Sequence, residues 1–334
     1  MIAAAAASAA LACATAPSPP PPSSGEARAP APSELGSPLR ESTAASPRDA
    51  TPTTSGNTPT APPPKRGLAE ASSDLRARYA WLAEGVSVRT LDEAFDPPSG
   101  FTRVSVAPQS FGAFLRTLPL RAERAPVLAY DKRRLLEGDD PRVAAVAELD
   151  VSPVDIQQCA DSVIRLHAEW RWSTQTTGSV GYHFLSGDHA TWSRYKAGER
   201  PKVDGKRVTW TSGAPPKDDH TTYRKYLDMV FNYASTISLA NKSSEVVTKD
   251  TLRPGDFFVL PGGPGHAILI LDVAEAPDGR RVALLGQGFM PAQDFHVLRS
   301  NGSAWFSLDG DSVDTPFWPA PFPWSSLHRM KGDP

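Results

Sequence analysis

The run Arg253-Pro-Gly-Asp-Phe-Phe-Val-Leu-Pro-Gly-Gly-Pro-Gly-His266-Ala-Ile-Leu-Ile-Leu-Asp272 sets two short apolar segments on either side of a turn rich in glycine and proline. Apolar runs of four to eight residues bounded by such turns read as buried strands. Strands are therefore predicted at 257–260 and 266–273, with His266 at the mouth of the second. A third strand, 281–287, follows the turn Ala276-Pro-Asp-Gly279. If that hairpin is regular and centred near Pro277, Gln287 falls close to directly across from His266, about 5 Å between β-carbons. A histidine held by glycines at the head of an apolar strand is an odd choice for packing. A glutamine opposite it is placed to fix the ring.

Upstream lies Cys159. Ser152-Pro153 suits an N-cap followed by the first helical position, so a helix is predicted from Pro153 to Trp172. Its apolar stripe runs through Ile156, Cys159, Val163, Leu166 and Trp170. Asp161, Arg165 and Glu169 fall at four-residue spacing and are expected to pair along the surface. A thiol on that stripe has two readings: a nucleophile presented to the histidine strand, or an inert core cysteine. A helix that starts at Pro153 puts Cys159 in the second turn, where the dipole lends a thiolate little support. A break near Gln157-Gln158 would restore that support. An oxyanion hole would need the Cys159 N–H and a side chain, with Gln158 or Gln157 as candidates.

The remaining chain reads as mixed structure. Phe101–Val106 alternates as a half-buried strand does, Pro108 opens a helix carrying Phe111, Phe114, Leu115 and Leu118, and 143–151 reads as a strand. Val203-Asp-Gly-Lys-Arg-Val-Thr-Trp210 is a hairpin signal with an Asp-Gly turn. Thr221–Ala240 is a second long helix whose tyrosines at helical spacing are read as core and rim. His183, His189 and His220 lack the paired spacing of a zinc site and are read as surface residues. Gly262-Gly263-Pro264-Gly265 lacks the Gly-Lys-Ser/Thr of a phosphate loop, so no cofactor is expected. The aromatic stretch Phe317-Trp-Pro-Ala-Pro-Phe-Pro-Trp324 is either a ligand groove or a tail docked on the core, and docking is the reading favoured.

Composition divides the chain. Residues 1–15 form a small-residue apolar run ending near Cys13, 16–73 are a disordered Pro/Ser/Ala-rich tether, and 74–334 carry a folded core. Signal, cysteine, linker and domain is the order of parts in a bacterial lipoprotein, with Cys13 as the lipidation site. This predicts an exported protein, lipid-anchored to the cell envelope, that meets the membrane only through that anchor. With 35 Lys plus Arg against 37 Asp plus Glu, the formal charge is −2 and no basic stripe points to nucleic acid. If Cys13 is acylated or removed, Cys159 has no disulfide partner.

Asp155-Ile-Gln-Gln-Cys-Ala-Asp-Ser-Val-Ile-Arg-Leu-His-Ala-Glu169, Pro264-Gly-His-Ala-Ile-Leu-Ile-Leu-Asp272 and Gln287-Gly-Phe-Met-Pro-Ala-Gln293 resemble the bacterial domain-of-unknown-function family 4846. That resemblance runs from about Phe101 to Met330 and implies no activity. A looser likeness joins the chain to the NlpC-type and amidase-type cysteine peptidases of the papain-like group. It implies an α+β, papain-like (NlpC-type) fold, a helix packed on an antiparallel sheet, with Cys159 as nucleophile, His266 as base and Gln287 as orienting residue. Two departures stand out: Gln158 occupies the place of the Asp in the usual Asp-Cys-Ser-Gly run, and Gly286-Gln287-Gly288 replaces the family's more usual Ala-Gln-Ser. The function implied is a thiol-dependent hydrolase, peptidase or amidase, with peptidoglycan or another envelope peptide as partner. The competing reading is a non-catalytic envelope lipoprotein that keeps the scaffold for binding, with Cys159 buried.

Overall fold

In the computed structural model, residues 67–333 are described. The signal-like segment with Cys13, and the tether up to residue 66, lie outside them. Elements begin at Ala69, ahead of the predicted start at Asp74. No helix among the described residues is long and apolar enough to cross a membrane.

Three helices and seven strands position the site. The helices are α1 (Phe111–Arg116), α2 (Cys159–Ser173) and α3 (His220–Phe231). The strands are β1 (Val143–Val146), β2 (Ser244–Val246), β3 (Phe257–Leu260), β4 (His266–Glu275), β5 (Arg281–Gln287), β6 (His296–Leu298) and β7 (Leu327–Met330). They form one antiparallel sheet in the order β2-β7-β3-β4-β5-β6-β1. Trp305–Ser307 adds to β5 and Thr102–Arg103 to the far end of β4. The architecture is mixed helix and antiparallel sheet.

Both faces of the sheet are covered, which explains the unbroken apolar run of β4. Ala267, Leu269 and Leu271 join the cluster that holds Ala160, Val163 and Ile164 of α2. Ile268 and Ile270, on the other face, join Phe258, Leu285 and Phe322. An antiparallel sheet with one wet face would alternate polar and apolar residues. Here every side chain from His266 to Ala274 is buried.

Asp272, also buried, is neutralised within the core. Its carboxylate accepts from Arg103 Nε at 2.7 Å and from Arg116 Nη2 at 2.6 Å, which ties α1 to the back of β4. α3 is capped by Asp219, whose carboxylate accepts from the Thr222 N–H at 2.8 Å. It ends at Phe231, short of the predicted Ala240. Its Tyr223 and Tyr226 are core residues that donate to the Ala168 and Ala190 carbonyls. The Asp-Gly hairpin forms as predicted, pairing Asp204 with Arg207.

One helix boundary departs from expectation, and it decides the site. The helix predicted from Pro153 begins instead at Cys159, with Gln158 extended at its N-cap. Tertiary contacts make the break. Gln157 is fully buried, and its side-chain oxygen accepts from Arg165 and Arg224 at 3.2 and 3.0 Å, which holds the preceding turn off the helix axis. Asp161 then closes the first turn by accepting the Gln158 N–H at 3.1 Å. The expected surface row is also corrected. Arg165 and Glu169 do pair, at 2.8 Å, but both are buried, and Asp161 is buried without joining them.

A candidate thiol site at the head of strand β4

Because α2 begins at Cys159, the thiol stands in the first turn, where N–H groups are not yet used by the helix. The backbone N–H groups of Ala267 of β4, of Ala160 and of Cys159 itself lie near enough to the sulfur to lower its pKa. These donors favour a thiolate. Burial and the nearby Asp161 carboxyl act the other way and are stronger, so the resting thiol is pushed up to about 11. Cys159 is 4% exposed.

His266 lies on the neighbouring residue but on the other face of β4. Its Nε2 is 2.8 Å from Gln287 Oε1, and its Nδ1 has no hydrogen-bond partner among the described residues. No hydrogen bond joins it to Cys159. Burial pushes the ring down to about 4, so it is neutral at neutral pH. Trp318 stacks on it with centroids 4.9 Å apart, Phe289 meets it edge-on at 5.0 Å, and Phe322 closes the side. The aromatic C-terminal stretch thus docks over the histidine and shields the His266–Gln287 bond.

The Gln287 contact depends on a register shift. Near the turn the strands pair Glu275 with Arg281 and Asp272 with Leu284, but beyond Leu271 they pair Ile270 with Leu285 and Leu269 with Gly286. The extra residue is a bulge. Continued without it, the pairing would set Gln287 opposite Leu269, on the helix-facing side of the sheet. With it, Gln287 shares the face of Ile268 and His266 and reaches the ring diagonally, a separation long side chains span. The sequence brought the pair together on the assumption of a regular hairpin; the bulge is the actual cause.

Gly288, which stands where the family more usually has serine, has a steric role. A Cβ there would lie 2.3 Å from Ser162 Oγ and 3.0 Å from the Gln158 carbonyl oxygen. Glycine lets the end of β5 lie against the start of α2 with the Ser162 hydroxyl undisturbed. Gly288→Val is expected to cost about 1–3 kcal/mol by overpacking, read as a lower urea midpoint. Because the strain falls first on the Ser162 hydroxyl, which donates to the Gln158 carbonyl at 2.7 Å, the variant is also expected to alter Cys159 alkylation.

A cleft of about 390 Å³ opens on the thiol side, bordered by Cys159, Gln158, Asp161, Thr236, Gly263 and Met290. Its acidic side chains are Asp155 and Asp161, and no lysine or arginine lines it. Gln158 remains at its wall, its amide donating to Asp155 at 3.0 Å. Gln157 does not line it, and its amide nitrogen faces the Asp150 carbonyl at 3.4 Å. The larger cavity of about 560 Å³, between Phe111, Trp170 and Arg253, includes neither Cys159 nor His266. Chemistry rather than size therefore assigns the site.

Two site residues escaped the sequence reading. Asp161 is held up to about 8 by burial, and its Oδ1 is unpartnered. His296 of β6 pairs directly across from Gln287 and lies 3.3 Å from the Gln287 amide nitrogen. Neither carries a local signal, although alternation along Asp294-Phe-His-Val-Leu298 places His296 and Phe295 on opposite faces. Of the three histidines read as surface residues, His183 and His189 end and begin paired strands and stack at 4.5 Å, while His220 opens α3 and bonds the buried Glu169 at 2.8 Å, which ties it to the core.

His266 and His296, both fully buried, bear on acid stability. Each has a folded value near 4 against an ordinary 6.5. The unfolded chain takes up their protons below about 6.5 while the folded chain does not until about 4. Stability present above that window is therefore lost as pH falls through it, on the order of 1 kcal/mol per pH unit for each ring. Urea midpoints between neutral pH and pH 5 should show the decline, and a His266→Gln variant should show a shallower one.

A cysteine heading a helix, lying beside a strand that opens on a histidine held by a glutamine, defines a candidate thiol site on an antiparallel sheet. The chain belongs to the family described as Domain of unknown function (4846), whose model matches residues 91–329. No curated protein and no solved structure matched the chain.

Proposed function

We propose that this chain is a thiol-dependent hydrolase of papain-like architecture acting on an amide bond, with Cys159 as nucleophile and His266 as base. The observation that carries this reading is the state of His266: Gln287 holds Nε2 while Nδ1 is left buried and unpartnered, one residue before Ala267, the strand residue nearest the cysteine at the start of α2. Buried polar atoms without partners are rare and call for an explanation. A proton-accepting role supplies one.

In the reaction the sulfur attacks the substrate carbonyl as its proton passes to His266 Nδ1. The C–N bond then breaks as that proton goes to the leaving amine, and water, activated by the same nitrogen, hydrolyses the acyl-cysteine. Because the resting thiol and ring are both neutral, deprotonation accompanies attack, and since sulfur and Nδ1 rest on opposite faces of β4, a rearrangement at the head of that strand must bring them together. The Cys159 N–H, with Gln158 at the cleft wall, would receive the oxyanion. Envelope location through Cys13 and peptidoglycan stem peptides as substrate follow from the sequence and are proposed on that ground.

A binding scaffold with a structural cysteine is the second reading. It is favoured by the 4% exposure of Cys159, its raised value and the lack of a bond to His266. Incubation of the full chain with purified peptidoglycan stem peptides separates the two. Release of new amino groups by wild type, abolished in Cys159→Ala, is the expected result. Binding without release, equal in both proteins, would favour the scaffold.

A further inference from the structure

We propose that His296 is a positioning residue that sets, through Gln287, which nitrogen of His266 carries the proton, an inference that deepens the hydrolase reading and takes its catalytic meaning from it. The direction of the chain of hydrogen bonds follows from its far end. His296 Nδ1 lies 3.1 Å from the Asp294 carbonyl oxygen. A carbonyl only accepts, so Nδ1 carries the hydrogen. His296 is fully buried and its ring is neutral, so Nε2 is a bare lone pair. The Gln287 group 3.3 Å away must then be its NH₂, which donates. The amide oxygen is thereby turned to His266 Nε2, at 2.8 Å, and Nε2 must carry the hydrogen. What remains on His266 is Nδ1 with a free lone pair, the form a base requires.

The opposite direction fails at the same end. A flipped Gln287 amide would take a hydrogen from His296 Nε2 and leave the Nδ1 lone pair facing the Asp294 carbonyl, acceptor against acceptor. It would also protonate His266 Nδ1, which has no acceptor among the described residues. Asp294 is itself fixed, its carboxylate accepting from Arg121 Nη1 at 2.7 Å and from the Leu128 N–H at 2.9 Å. Phe317 meets His296 edge-on at 5.4 Å, continuing the aromatic cover that Trp318 lays over His266. The pairing of His296 directly opposite Gln287 makes the contact a property of the sheet register.

The test reads the tautomers directly, by long-range proton–nitrogen NMR of the full chain labelled with ¹⁵N-histidine, with His266 and His296 assigned from single variants. In wild type, His266 is expected as the single Nε2–H form and His296 as the single Nδ1–H form. In His296→Phe the His266 signature should become a mixture, since nothing then chooses the Gln287 orientation. Adding Gln287→Glu to His296→Phe should restore the Nε2–H form, because a carboxylate accepts from either oxygen. A merely structural His296 would not give that rescue. A wild-type His296 in the Nε2–H form, or a His266 in the Nδ1–H form, overturns the proposal even if the variant does not fold. Retention of a single Nε2–H form in a folded His296→Phe also overturns it. Failure of the hydrolase reading would look different: these tautomers with no amide hydrolysis.

Discussion

Replacing His266 by alanine is expected to slow acylation of Cys159 by about 10²–10⁴-fold, the range a positioned general base contributes. The resting thiol, pushed up to about 11, provides almost no thiolate at neutral pH, so attack depends on a base that removes the proton as the bond forms. His266 Nδ1, buried and unpartnered, is the nitrogen available at the head of β4. The pH dependence follows from the same groups. His266 works only as the neutral ring, so the wild-type rate should rise through about pH 4 and then stay level across neutral pH. In the alanine variant the reaction should wait for the thiol itself to ionise, toward about 11. Gln287→Ala should fall between the two, since it leaves the base in place but frees its ring.

Replacing Arg165 by leucine is expected to destabilise the chain by about 3–5 kcal/mol, the cost of stranding a buried charge. Its guanidinium is fully buried and bonds Glu169 at 2.8 Å, Asp150 at 2.6 Å and Gln157 at 3.2 Å. Without it, the buried Glu169 keeps only His220 as an ionic partner among the described residues. The effect should reach the site, because Arg165 is one of the two groups that hold Gln157 in the turn before the helix. A drop in thermal midpoint on the order of 10 °C is the expected readout, accompanied in the surviving folded fraction by altered alkylation of Cys159. A Glu169→Gln, Arg165→Met double variant should recover part of the loss, since it removes both charges together.

These two residues also mark what the sequence makes legible. The strands flanking the glycine-rich turn, the third strand and the place of His266 follow from apolar runs and turn chemistry, which are local. The start of α2 does not. Propensity carries the helix back to Pro153, and it takes Arg165 and Arg224, from two different helices, to hold Gln157 out of it. The bulge at Leu271 is equally hidden, because both faces of β4 are buried and even Asp272 beside it lies in the core, so no wet face reveals a change of register. His296 is invisible for a third reason: its partner lies on a neighbouring strand, and a lone histidine among apolar residues carries no spacing signal. The sequence therefore indicates the cysteine, the histidine and the glutamine, while the contacts that orient them belong to the fold.

The central claim is that Cys159 is acylated with His266 as base. The most direct test is the pH–rate profile for acylation of Cys159 by p-nitrophenyl acetate, followed by intact mass on the full chain, for wild type and His266→Ala. The account predicts acyl-Cys159 in the wild type at neutral pH, an ascending limb near pH 4, turnover of the adduct, and loss of all three in the variant. Identical profiles in the two proteins, with acylation only as the thiol ionises in alkali or after unfolding, would contradict it and leave Cys159 a core residue of a binding scaffold.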